Sequence, residues 1–206
     1  MDRRTFIGSV ASAATVGLAG CSGSPTTFEA SPADTTSAAA EETGYERQGT
    51  ESQTISRDFA GTSVEAVNKV TTYEKTIDTV LGSVRAGVFA AVSTPAVEVA
   101  GETFNPVADY DTNELIGLLT SNYEGISNPT RVGESAVEIL GESRTFVRYE
   151  ATATFEGQQI DVFVHVTEAL RDGADFVVPL VVYPTQLGQQ GRDEAATLAG
   201  ALRHPV

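Results

Sequence analysis

The sequence predicts an α+β domain in which an antiparallel β-sheet is packed by helices near residues 112–122 and 192–202. Three observations carry that expectation: a period-two alternation of side chains through 144–183, a capped segment of helical spacing at 111–123, and a second helical spacing close to the C-terminus. No repeat interrupts the 206 residues, and the stretch 54–206 suits one domain with a single core.

The chain begins with Arg3-Arg4, an apolar but Gly- and Ala-rich run from Phe6 to Ala19, and then Gly20-Cys21. A helix needs about 20 apolar residues to span a bilayer. This run is shorter and is diluted by Gly8, Ser9, Ser12 and Gly17, so residues 1–20 read as an export signal rather than a membrane span. Arg3-Arg4-Thr5-Phe6-Ile7 resembles a twin-arginine signal, which passes proteins across the membrane already folded. Leu18-Ala19-Gly20-Cys21 resembles a lipoprotein box, in which the thiol is alkylated by a diacylglycerol and becomes the mature N-terminus. The thiolate is a strong nucleophile, and two acyl chains hold where one is marginal, each buried methylene adding about 0.8 kcal/mol. Cys21 is the only cysteine, so no disulfide supports the fold; an ordinary small residue beside a simple cleavage site is the alternative reading of it.

Residues 21–53 are rich in Ser, Thr, Ala, Glu and Pro and read as a disordered tether. About 30 such residues have a root-mean-square reach of about 30 Å, enough to lift a domain off a lipid surface. Ser and Thr beside Pro25 and Pro32 suit O-linked sugars, and a bare spacer is the equal alternative.

Strands are expected near 54–59, 64–75, 84–93 and 96–99. Val64, Val67, Val70, Tyr73, Ile77 and Val80 also fit helical spacing, but the density of Val and Thr favours strand. In 111–123, Asp111 or Thr112 caps a helix, Glu114 stands where a capping box needs it, and Leu115, Ile116, Leu118 and Leu119 make one apolar face.

From Arg144 onward, Thr145, Val147, Tyr149, Ala151, Ala153 and Phe155 alternate with Phe146, Arg148, Glu150, Thr152 and Thr154, the pattern of a half-buried antiparallel strand. Glu156-Gly157-Gln158 turns the chain back. Ile160, Val162, Val164 and Val166 then face inward, with Asp161, Phe163, His165 and Thr167 on the other side. Arg171-Asp172-Gly173 leads into a third strand, 175–183, where Pro179 lacks an N–H to donate and argues for an edge strand or a bulge. The last helix, 192–202, sets Ala195, Leu198, Ala199 and Leu202 toward the sheet.

Charge limits the partners. Removing residues 1–20 takes away Asp2, Arg3 and Arg4 and leaves a formal charge of −16, which excludes nucleic acid and anionic lipid surfaces as natural partners. Only Lys69 and Lys75 are lysines and there is no tryptophan; low lysine with abundant carboxylate points to adaptation to concentrated salt, an acidic mesophilic surface protein being the alternative.

No constellation for catalysis stands out. His165 shares a strand face with Asp161, so a general base or metal ligand is one reading, and a packed or solvent-facing strand histidine the plainer one. His204, near the C-terminus, is expected to fray. Asp109 and Asp111, with Asn105, Asn113 and Glu114, hold oxygen ligands suited to Ca²⁺ or Mg²⁺, but a helix N-terminus attracts acids anyway and no glycine supplies the turn of a calcium loop. Gly82 and Gly87 make no phosphate-binding pattern. No catalytic, cofactor-binding or metal residue is therefore assigned; the functional residues are Cys21 for lipid attachment and Arg3 and Arg4 for export.

The segments "STPAVEVAGETFNPV" (93–107), "NELIGLL" (113–119), "VEILG" (137–141), "FEGQQIDVFVHV" (155–166) and "DFVVPLVVYP" (175–184), together with the twin-arginine lipoprotein start, resemble an uncharacterised family of haloarchaeal lipoproteins, a domain of unknown function. The resemblance implies an exported, lipid-anchored, salt-adapted protein and supplies no activity. At the level of fold alone, the arrangement is similar to the Mog1/PsbP-like α/β/α sandwich. Two function classes follow: a non-enzymatic envelope module that binds another envelope protein or a small ligand, and, as the alternative, an envelope hydrolase or other enzyme using carboxylate and His165 chemistry.

Overall fold

The computed structural model describes residues 26–59, 62–79, 82–99, 102–103, 106–122, 125–155 and 158–206. The chain runs through β1 (Thr26–Glu29), β2 (Asp34–Thr35), α1 (Ser37–Thr43), β3 (Glu46–Phe59), β4 (Thr62–Thr79), β5 (Gly82–Pro95), β6 (Glu98–Val99) and β7 (Glu102–Thr103). It continues through α2 (Thr112–Asn122), β8 (Ile126–Ile139), β9 (Glu142–Phe155), β10 (Gln158–Val166), β11 (Leu170–Asp172), β12 (Asp175–Pro184), α3 (Gly188–Gly200) and β13 (Leu202–Arg203).

Nine strands form one sheet in the order β1-β4-β5-β12-β10-β9-β8, with β3 also on β4 and β11 also on β12. Every pairing in it is antiparallel except that of β1 with β4. The α+β expectation and the 144–183 meander hold, with sheet dominating. Strand, not helix, takes residues 62–79. The two sets of side chains on these strands feed two cores. Phe89, Phe146, Val181 and Tyr183 pack with Ala40 of α1 and Ala195, Leu198 and Ala199 of α3. Val147, Tyr149, Val162 and Val164 pack with Ile116 of α2. Helices thus cover both faces, which is why β12 reads as a continuous apolar run rather than an alternating one.

The expected tether requires correction, since residues 26–53 are folded into the domain. Its composition is misleading because the core contacts are made by small residues: Ala30, Ala33, Ala39 and Ala40 are buried along with Tyr45. Thr36 caps α1 by accepting from the Ala39 amide, and Gly44 ends it in the left-handed conformation. β3 is a polar edge strand, exposed from Glu51 to Asp58 and held by its backbone ladder to β4 rather than by burial.

Three smaller corrections concern the C-terminal half. Pro179 is not on an edge strand: it pairs with Ala91 of β5, and on its other side it falls in the gap between the β10 ladder, which ends at Val166–Leu180, and the β11 ladder, which begins at Leu170–Val177, so no ladder bond on that side asks for its missing N–H. α3 begins a turn earlier than expected and ends before Leu202, which is buried on β13 instead. His204 is not frayed, because it is clamped as described below. The segment 112–122 forms the helix expected of it.

Candidate functional site

The residues of β4, β5, β12 and β10 that point away from α1 and α3 are Val, Ala, Leu and Thr at alternate positions. Register sets them in rows: Val70 lies beside Val92 and Thr72 beside Ala90, Leu180 is paired with Ala90 and Val182 with Val88, and Val164 stands next to Val182. α2 covers the β8–β10 end of this face, and the remainder is a cleft of about 370 Å³. Its floor is Val70, Ala90, Val92, Val162, Leu180 and Val182, with Gly125 and Ile126 on one flank. The Glu74–Arg85 ion pair, 2.8 Å, stands at the lining's polar end. Volumes of this size and apolar walls with few polar groups are typical of small-molecule sites.

A polar cleft of about 480 Å³ opens at the N-terminus of α2. Both arginines lining it are paired: Arg131 bonds Glu134 and Arg144 bonds Glu142. Asp111 accepts from the Asn113 and Glu114 amides at 2.8 and 2.9 Å, while Glu114 Oε2 accepts from the Asp111 amide at 2.9 Å. This is a reciprocal capping box, and the amide bonds, that of Glu114 foremost, hold Asp111 below the usual carboxylate range. Asp111 is thereby a helix cap. Among the described residues no group of three or more His, Cys, Asp or Glu side chains is placed to hold a metal ion.

His165 lies on the other face of the sheet, 2% exposed, between Phe146 and Tyr183, whose ring centroids are 5.0 and 5.5 Å away. Its Nε2 meets the Tyr183 hydroxyl at 2.9 Å. Burial, with the Arg148 and Arg192 guanidiniums, lowers the imidazole to about 3, and burial pushes Tyr183 up to about 12. The ring is neutral at physiological pH and packed away from the cleft. Asp161 is exposed and does not partner it.

His204 is the histidine that meets carboxylates. Its Nδ1 lies 3.0 Å from Asp172 and its Nε2 3.1 Å from Asp175, with the side chain 3% exposed. Asp175 also accepts from the Ser31 amide at 2.9 Å. The cluster ties the C-terminal residues to β11, β12 and the segment after β1; His204 and Asp175 are buried, while Asp172 stays open to solvent on one side. Sequence reasoning missed it because its members are scattered over the chain.

Cys21, Arg3 and Arg4 lie outside the described residues. No described helix is long and apolar enough to cross a membrane.

A family model described as Domain of unknown function (DUF6517) matches residues 32–203, which agrees with a folded unit that begins well before residue 54. No curated protein matches the chain. Among solved structures it is similar to cyanobacterial PsbP (CyanoP) from Synechocystis sp. PCC 6803, determined in solution, at 11% identity over 90% of this chain and 98% of that one. The TM-score is 0.38, too low for the likeness to bear on function.

Proposed function

We propose that this chain, which belongs to the DUF6517 family, is a membrane-anchored, non-enzymatic binding module of the cell envelope whose sheet-face cleft takes up a small apolar molecule. The observation that carries this reading is the cleft of about 370 Å³ floored by Val70, Ala90, Val92, Leu180 and Val182. Removing apolar ligand surface from water contributes about 25 cal/mol per Å², so a site of this kind gains its affinity from contact area rather than from charge. The placement of the histidines supports binding over catalysis: His165 is enclosed by rings and His204 is committed to two carboxylates.

A direct test is uptake of the apolar fluorophore N-phenyl-1-naphthylamine by the purified domain. Ala90 is on the cleft floor, so Ala90→Phe should fill the space and abolish uptake while leaving the thermal unfolding transition cooperative. Undiminished uptake in Ala90→Phe would refute the cleft as the site.

The anchor rests on Cys21 and export on Arg3-Arg4. Cys21→Ser is expected to move the protein from the membrane fraction to the medium, or to leave it as an unprocessed precursor. Membrane retention with the signal still removed would sink the anchor and leave the binding reading standing.

A further inference from the structure

The sheet ends in two long edge strands, β3 and β8, and among the described residues each has a strand partner on one side only. An open edge is a row of unpaired amide and carbonyl groups, and folds blunt it with proline, lysine, bulges or a covering helix. β8 carries several of these devices: Pro129 interrupts it, its register on β9 shifts after Ser127 and again after Arg131, and α2 and α3 both pack on it. β3 carries almost none. It holds neither proline nor lysine, and its single irregularity lies between Arg47 and Gly49. From Thr50 to Asp58 every residue is in unbroken antiparallel register with β4. Glu51 to Asp58 are all exposed, Ile55 among them at 47%. The regular segment is longer than the usual strand of about five or six residues, so β3 offers an extended template for another strand.

The order of its side chains says which strand. Antiparallel strands exchange bonds between residues whose amides point toward each other, and along a strand these alternate, so a copy of β3 can pair only with odd residues opposite odd and even opposite even. When Thr50–Asp58 is laid antiparallel on itself, Thr54 falls on the two-fold axis, Ser52 faces Ser56, Gln53 faces Ile55, and Glu51 faces Arg57. A Glu51–Arg57 pair therefore forms on each side of the axis, where opposite charges directly across a ladder are stabilising. Sliding the copies by two residues, the smallest step that keeps the bonds, loses both pairs. One direction sets Glu51 against Ile55 and Arg57 against Gly49; the other sets Arg57 against Gln53 and Glu51 against Phe59.

We propose that the β3 edge is a self-association surface: two copies of this chain pair through Thr50–Asp58 about a two-fold axis at Thr54, joining their sheets into one. Main-chain bonds hold the copies together, and the Glu51–Arg57 pairs set the register. An isologous contact of this kind closes on itself, so assembly stops at the dimer. β3 contributes no residue to the lining of the apolar cleft, and the pairing is independent of what the cleft takes up.

Sedimentation equilibrium of the purified protein under reducing conditions should show a monomer–dimer equilibrium. Arg57→Glu, which sets a second carboxylate opposite Glu51, should raise the dissociation constant by about tenfold or more. Glu51→Arg should do the same, and the two exchanges combined in one chain should restore the wild-type association, an outcome that damage to the fold cannot produce. Cross-linking reads the axis. In a Cys21→Ser background, Thr54→Cys should give a disulfide-linked dimer on mild oxidation, because residues directly opposed in a ladder have Cβ atoms within about 5.5 Å. Gln48→Cys, outside the paired segment, should not. A monomer at every concentration, which would leave the edge to a foreign strand, would overturn the proposal. So would a dimer that Arg57→Glu leaves unchanged or that Thr54→Cys fails to link.

Discussion

The two faces of the sheet are built from alternate residues of the same strands, yet one is closed and the other open. Under α1 and α3 the strands present large rings, Tyr73, Phe89, Phe146 and Tyr183, each nearly or fully buried. Toward α2 they present Val88, Ala90, Val92, Leu180 and Val182, and α2 is too short to roof them all. The difference shows how one sheet serves two ends. Bulky aromatic side chains need a complete lid and supply stability; small branched ones tolerate a partial lid and leave usable space.

The largest test of that contrast compares neighbours one residue apart on β5. Phe89 is 0% exposed, and Phe89→Ala should cost about 3–5 kcal/mol in urea unfolding. Val88, half-buried in the cleft, loses less surface, and Val88→Ala should cost about 1 kcal/mol or less. Equal losses would mean that the cleft face is as tightly packed as the other.

A second effect belongs to the closed face alone and depends on pH. His165 sits at about 3 in the folded chain against an ordinary 6.5, so the unfolded chain takes up the proton first. Stability is therefore lost as pH falls from about 6.5 toward 3, by up to about 1.4 kcal/mol per pH unit from this group. His165→Gln removes the titration and keeps a group able to bond the Tyr183 hydroxyl. The gap between wild type and variant should narrow or reverse from pH 7 to pH 4.5; a gap constant across that range would show that the imidazole titrates normally.

The smallest effect has opposite signs on the two sides. Ala is favoured over Gly inside a helix by about 1 kcal/mol. On α3, a Cβ at Gly191 would come within 2.4 Å of the Tyr183 ring, and overpacking of that kind costs about 1–3 kcal/mol. Gly191→Ala should therefore destabilise on balance. On α2, Gly117 is exposed with nothing near its Cβ position, so Gly117→Ala should stabilise by about 0.5–1 kcal/mol. Thermal midpoints that move the same way in both would remove the distinction.

What the sequence made legible was local. The Asp111–Glu114 capping box, the alternation of β9 and β10 and the meander into β12 are set by residues a few positions apart, and they stand as expected. Pro179 signalled an irregularity, but the irregularity is the gap between the β10 and β11 ladders beside it. Residues 26–53 misled because Ala33 and Ala40 become core only when α3 supplies the other half of the contact. His204 misled because the carboxylates that hold it are 29 and 32 positions away. The cleft was illegible for another reason: Val88, Ala90 and Val92 read as ordinary strand residues, and the length of α2 relative to the sheet decides that they face a space.

The clasp between the two ends of the domain bears on when the molecule can close. β2 pairs with β13, joining Asp34 to Arg203 and Thr35 to Leu202, and the Val206 amide reaches the Pro32 carbonyl at 3.2 Å. A ribosome delivers Pro32 long before Val206, and pairings this far apart in sequence form slowly because the intervening chain must first be brought together. The clasp thus waits for residues 202–206, and a nascent chain halted before them lacks β13, His204 and with them the fastening of β2.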